Sequence, residues 1–249
     1  RIPDSLLGKF QVVEYFRAFL MGRMAWSRIN GLMLISGAFG FFNADLVRKV
    51  GGYFTKTVGE DMELIVRMRR YMMEQDIPHK VGFVPDPLCW TEVPESEEIL
   101  SRQRNRWMRG TIETLLLHRP IRFKPKFGVL GNISYPFWSI FEKSGPVIEL
   151  FGIIYTFILL IVGDFSALYF IALLVLMYLL SLLVSVFSVL YEQIAFNNYK
   201  NRKDLRSLLW VILTEPFTVH PKIVWWGVKG HIDFIRGKGG WGAMIRTGF

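Results

Sequence analysis

The sequence predicts an α/β unit over its first half and a membrane-crossing α-helical region over its second. Three observations lead there. Up to about Lys126 polar and apolar residues alternate in short blocks punctuated by Gly51-Gly52, Pro78, Pro85, Pro87 and Pro94, the rhythm of strands and helices joined by turns. From Phe127 onward long apolar runs dominate. They bring the hydrophobic fraction of the 249 residues to 51%, with 15% aromatics, above what a soluble domain carries. Lysines and arginines gather at 119–126, 200–206 and 229–246, each beside an apolar run, as the cytoplasmic flanks of membrane helices do.

In chain order, Gln11 to Met24 carries Val12, Tyr15, Phe16, Phe19 and Leu20 at helical spacing. Leu32-Met33-Leu34-Ile35 reads as a strand ending at Ser36-Gly37. Ala44 to Val50 is a short helix, and Glu60 to Met73 a longer one with Leu64, Ile65, Met68 and Tyr71 on one face. Val81-Gly82-Phe83-Val84 is the next strand. Ser96 is placed to cap a helix whose first turn holds Glu97 and Glu98, where negative charge suits the helix dipole, and which runs through Gln103, Arg106 and Trp107.

The aromatic stretch from Ile133 to Phe141 suits the headgroup region, so 127–144 is expected to be an interfacial helix. Gly145 to Gly163 and Ser166 to Tyr191 are each long enough to cross a bilayer core. The turn between them, Gly163-Asp164-Phe165, has no Lys or Arg, whereas both outer flanks are basic; 145–191 therefore reads as a hairpin with both ends in the cytoplasm. In 192–249 a basic loop leads to Ser207–Lys229, interrupted by Pro216 and Pro221. That segment is expected to be re-entrant or interfacial rather than a third span, ahead of a basic cytoplasmic tail.

A formal charge of +9 suits nucleic acid, anionic lipid or a phosphorylated substrate equally. The placement of the charges beside apolar runs favours the bilayer and argues for no nucleic acid. Cys89 is the single cysteine, which excludes an internal disulfide and points to a reducing compartment; it reads as a buried small hydrophobe. His79, His118, His220 and His231 lack ligand spacing, so no metal site is expected among them. The start at Arg1, without Met or the pattern of a signal peptide, suggests that an N-terminal portion precedes this chain.

Three short motifs carry the chemistry. Gly59-Glu60-Asp61 offers a carboxylate that can take a proton, Gln103-x-x-Arg106-Trp107 offers a guanidinium fork for a diphosphate and an indole face for a sugar, and Ser36-Gly37-Ala38-Phe39-Gly40 lets backbone approach a ligand closely. Each has a plain alternative. Asp61 could cap the helix that follows, Trp107 could be core beside solvated arginines, and Ser36–Gly40 could be an ordinary turn. In this order, and ahead of membrane helices, they resemble the processive family 2 glycosyltransferases, which include cellulose, hyaluronan, chitin and poly-N-acetylglucosamine synthases.

The resemblance implies that residues 1–126 are the acceptor half of a cytoplasmic GT-A type domain. Asp61, with Glu60 beside it, would be the catalytic base in an inverting transfer. Gln103, Arg106 and Trp107 would bind leaving group and acceptor, with Ser36, Gly37, Thr91 and Glu92 along the acceptor path. It further implies a UDP-sugar donor, a polysaccharide acceptor and a divalent metal, Mg or Mn. The Asp-x-Asp that would hold that metal and the donor does not occur in this sequence. The expected activity is hexosyl transfer to a growing polysaccharide at the cytoplasmic membrane by a multi-pass protein. A non-processive transferase using a lipid-linked acceptor and a noncatalytic membrane subunit are the alternatives. The glycine-rich run Gly237 to Arg246 resembles bacterial tails of this group that could close over the site, or it is a tail held to anionic lipid.

Overall fold

The computed structural model describes residues 2–86, 89, 91–163 and 166–240, so the Pro87, Trp90, Asp164–Phe165 and Trp241–Arg246 readings lie outside the described residues. Helix α1 (Leu6–Tyr15) starts earlier than the apolar period suggests, because the Ser5 hydroxyl accepts the Gly8 N–H at 3.1 Å and caps it. It continues through a π-helical stretch (Phe16–Gly22) into α2 (Arg23–Arg28). Asn43 caps α3 (Ala44–Lys49) and Ser96 caps α5 (Glu97–Leu117), each through its side-chain oxygen. Between them, α4 (Glu60–Glu74) buries Met62, Leu64, Ile65, Val66, Met68 and Met72.

The expected α/β sheet is not there: among the described residues there is no strand, and the fold is helical with extended connections. Leu32–Ile35 and Val81–Val84 lack helical structure, and Leu32 and Met33 are buried, but neither segment joins a ladder. A strand exists only by pairing with another, and here side chains take the places a neighbouring strand would fill. Arg69 donates to the carbonyls of Asn30 and Leu32, and Ser134 Oγ donates to the Gly31 carbonyl at 2.7 Å. Phe83 N–H is received by Ser27 Oγ at 3.0 Å, and Val81 N–H by Asn30 Oδ1. The Arg69 guanidinium is fully buried, and burial pushes its pKa down to about 10; carbonyl acceptors compensate its lost hydration.

One core cluster joins Met33, Met62, Val66, Leu115, Ile121, Phe127, Leu130 and Tyr135. Phe127, Leu130 and Tyr135 belong to the segment read as interfacial, where Tyr135–Phe137 form the short α6, so its first half is packed into the protein, with the Tyr135 hydroxyl donating to the Leu115 carbonyl. A second cluster ties Phe10 and Val13 of α1 to Val189 of α8 (Ala167–Ala195) and to Leu208, Val211 and Ile212 of α9 (Arg202–Thr218). On α4, buried Glu63 meets His118 Nε2 at 3.2 Å and Arg67, which also donates to the carbonyls of Val50 and Gly52. That bond fixes the turn where Gly51 and Gly52 take positive φ, a conformation costly for residues with a Cβ. Cys89 is exposed, contrary to the buried position expected of it.

Among the described residues, α7 (Gly145–Val162) and α8 (Ala167–Ala195) are the two helices long and apolar enough to cross a membrane, with mean hydropathies of 2.2 and 2.8. At about 1.5 Å per residue they reach about 27 and about 44 Å, against a hydrocarbon core of about 30 Å. Ser207–Lys229 is divided between α9 (Arg202–Thr218) and α10 (His220–Ile235), which meet at Val219. Pro216 is accommodated within α9, and Pro221 sits in the first turn of α10, where its missing N–H costs nothing. α10 packs against α5 and the start of α7 at glycine distance: a Cβ on Gly230 would come within 2.7 Å of Met108 Cβ in α5, and one on Gly227 within 2.7 Å of Pro146 Cγ in α7.

Candidate active site

Two glycines set the geometry of the site. Gly59, which precedes α4, lies against Gly110 in the middle of α5, so closely that a Cβ built on Gly110 would stand 2.6 Å from Gly59 Cα. Glu113, one turn further along α5, locks that approach. Its Oε2 accepts from Thr57 Oγ1 at 2.6 Å and from the Val58 N–H at 2.9 Å, and Thr57 Oγ1 in turn accepts the Gly59 N–H at 3.1 Å. The N-terminus of α4, with Glu60 and Asp61, is thereby held beside the α5 turn that carries Gln103, Arg106 and Trp107.

These residues border one cleft of about 1770 Å³, and Ser36, Gly37, Thr91 and Glu92 border it too. All nine residues singled out from the sequence thus share one concavity. Asp61 Oδ1 accepts the Met62 N–H at 2.8 Å, and its other oxygen faces Gly37, where an added Cβ would stand 3.1 Å away. Gly59, not Asp61, occupies the capping position of α4. The Thr91–Glu95 segment is secured to α1 by Gln11, a fully buried side chain whose amide donates to the Pro94 carbonyl at 2.6 Å. The cleft continues past Phe137, Trp138 and Phe141 to Gly145, Pro146 and Glu149 at the start of α7.

The electrostatics pair cations with carboxylates. Burial lowers the Arg106 pKa, while the charges of Glu60 and Asp61 pull it back up. Arg23, buried in the same wall, is pushed down to about 10 by burial, again opposed by Asp61. Burial raises Glu60, its own backbone N–H works against that rise, and Asp61 adds to it. Two buried acceptors of the cleft residues, Gln103 Oε1 and Glu60 Oε2, have no hydrogen-bond partner among the described residues and are open to a ligand or water.

Among the described residues no group of three or more His, Cys, Asp or Glu could hold a metal ion. Glu60 and Asp61, the carboxylates beside Arg106, sit in the field of Arg23 and Arg106, so this pair does not fit a divalent cation. What the arrangement can do is accept a proton at a carboxylate, hold an anion with a guanidinium and present an aromatic face to a sugar ring.

Sequence reasoning missed Arg23, Gly110, Glu113 and Gln11. Glu113 and Gln11 act over 55 and 83 positions of chain, which no local pattern signals. Gly110 left a trace: glycine in mid-helix costs about 1 kcal/mol relative to alanine and so asks for a packing reason.

A family model described as "Glycosyl transferase family group 2" matches residues 6–190. The poly-β-1,6-N-acetyl-D-glucosamine synthase of Staphylococcus epidermidis is 32% identical over 116 residues, covering 47% of this chain and 27% of that protein. Its Staphylococcus aureus counterpart is 33% identical over 120 residues, with the same coverage of 47% and 27%. A Bacillus subtilis protein named "Probable glycosyltransferase YdaM" is 25% identical over 154 residues, covering 55% of this chain and 34% of its own length. The chain thus spans about a quarter to a third of the curated relatives it matches. No solved structure matches it.

Proposed function

This chain belongs to glycosyl transferase family group 2, and on that footing we propose that it forms the acceptor side and membrane part of an inverting, membrane-bound polysaccharide synthase. The donor is a nucleotide-activated sugar, and the names of the staphylococcal relatives favour UDP-N-acetylglucosamine. The observation that carries the reading is the convergence of Asp61, Arg106 and Trp107 on one cleft beside the start of α7.

Asp61 accepts the proton of the acceptor hydroxyl as that oxygen attacks the anomeric carbon. The bond from that carbon to the phosphate oxygen breaks on the opposite face, which inverts the configuration. Charge builds on the departing diphosphate, and Arg106 offers forked donors to it. Gly37 keeps the Asp61 carboxylate accessible, since any larger residue would place carbon against Oδ2. Trp107 supports the pyranose being extended, while Ser36, Thr91 and Glu92 line the path of the acceptor.

In this reading α7 and α8 form a transmembrane hairpin with cytoplasmic ends, set by the basic flanks at 119–126 and 200–206. The protein is a multi-pass component of the cytoplasmic membrane, its cleft faces the cytoplasm, and the lengthening product leaves along α7 in processive extension.

The test supplies the full-length protein, in membranes, with UDP-N-acetylglucosamine and reads product configuration by NMR and length by chromatography. A β-linked polymer formed from the α-linked donor is the expected product. A single addition would replace processive synthesis by transfer to a lipid-linked acceptor, and retention of the α configuration would overturn the inverting mechanism.

A further inference from the structure

The segment Gln103 to Trp107 contains two arginines, and the structure gives them different work. Arg104 is buried, and both of its terminal nitrogens are committed to one carboxylate: Nη1 donates to Glu14 Oε1 at 2.7 Å and Nη2 to Glu14 Oε2 at 2.5 Å. A fork engaged this way on a carboxylate is not free to grip a phosphate. The same guanidinium lies over the Trp107 ring, 4.4 Å from its centroid. Arg104 and Trp107 are three residues apart on α5, where side chains share a face, while Glu14 arrives from α1, 90 positions away in sequence. All three border the cleft.

An indole can be a sugar platform only if it is held still and one face stays open. Trp107 has a cation on one face, and that cation is itself fixed by two charge-assisted bonds. We propose that Glu14 and Arg104 are positioning residues for Trp107: the ion pair clamps one face of the indole and reserves the other for a pyranose ring of the acceptor. The proposal rests on the reading of Trp107 as the acceptor floor. It assigns to α1 a part in acceptor binding through Glu14, and it separates Arg104, which acts through Trp107, from Arg106, which meets the leaving group.

The test is a double-mutant cycle on the full-length protein in detergent. Binding of a short β-1,6-linked N-acetylglucosamine oligosaccharide and of UDP is measured separately, with circular dichroism as the check on folding. Trp107→Ala weakens oligosaccharide binding, and Arg104→Lys, which keeps the charge but loses the fork, weakens it by about fivefold to tenfold, as expected for a cation on an aromatic face in a partly desolvated site. UDP affinity stays within about twofold of the parent for Arg104→Lys. In the Trp107→Ala background, Arg104→Lys has no further effect, because its influence passes through the indole. Additive losses, or a loss of UDP affinity equal to that of the oligosaccharide, overturn the positioning role. If Trp107→Ala leaves oligosaccharide binding unchanged, the acceptor-floor reading itself is overturned. Should Arg104→Lys not fold, Glu14→Gln removes the same clamp from the other side and is read by the same cycle.

Discussion

Replacing Gly110 by alanine separates positioning from stability more sharply than any other change in this molecule. The added methyl would stand 2.6 Å from Gly59 Cα, roughly 1 Å inside ordinary carbon contact, and its neighbour is backbone that cannot rotate away. Relieving that overlap moves the Gly59 turn from α5 by about 1 Å, and overpacking of this kind costs about 1–3 kcal/mol. Alanine in mid-helix recovers about 1 kcal/mol over glycine, so the net loss of stability is only about 0–2 kcal/mol. The effect on chemistry is larger. The turn that opens is the one carrying Glu60 and Asp61, and a displacement of about 1 Å between reacting groups costs about 100-fold in rate. Denaturant unfolding of the purified protein and sugar incorporation from UDP-N-acetylglucosamine, measured on the same preparation, read the two effects. A Gly110→Ala protein of parental activity would refute the claim that this approach sets the site.

Glu113→Ala strips the acceptor from Thr57 and the Val58 N–H, so unfolding free energy falls by about 1–3 kcal/mol, with a loss of incorporation exceeding that of an exposed α5 substitution such as Ser101→Ala. Because the folded pKa of Glu60 is raised, its protonated form is favoured by the fold. Stability from this group is full below the ordinary glutamate range and is lost as pH rises through the raised value. Glu60→Gln therefore raises the melting temperature at neutral pH, and the gain fades on acidification below the ordinary glutamate range. Cysteines introduced at Lys124 and Lys203, with Cys89 replaced, are labelled by an impermeant reagent from the same membrane side; labelling from opposite sides contradicts the hairpin.

The helices were legible wherever a local signal marked them. Ser96 with Glu97 and Glu98, the apolar face of α4 and the long apolar runs of α7 and α8 each state their structure within a few residues. The sheet was misread because Leu32–Ile35 satisfies the local pattern of a strand, while the partner that would make it one is a non-local fact. Arg69, Ser134, Ser27 and Asn30 supply hydrogen bonds instead, and nothing near Leu32 announces them. Tyr135 was hidden for a related reason. An aromatic run suits a membrane interface or a core equally, and the packing of Tyr135 with Leu115, Ile121 and Leu130 is a non-local fact. For the candidate site, the motifs pointed to residues that share one cleft and left their support unseen: Arg106 and Trp107 stand out by type, whereas Glu113 resembles any exposed helical glutamate until it is found under the Val58 N–H.

The central claim is that Asp61 is the base in the cleft it shares with Arg106 and Trp107, and Asp61→Asn in the full-length protein tests it most directly. Asparagine keeps the shape and can still accept the Met62 N–H, but it cannot take a proton at neutral pH. Incorporation of N-acetylglucosamine is expected to fall by about 10²–10⁴-fold while UDP affinity and the unfolding transition stay at parental values. Incorporation at or near the parental rate by a purified, folded Asp61→Asn protein would contradict the account.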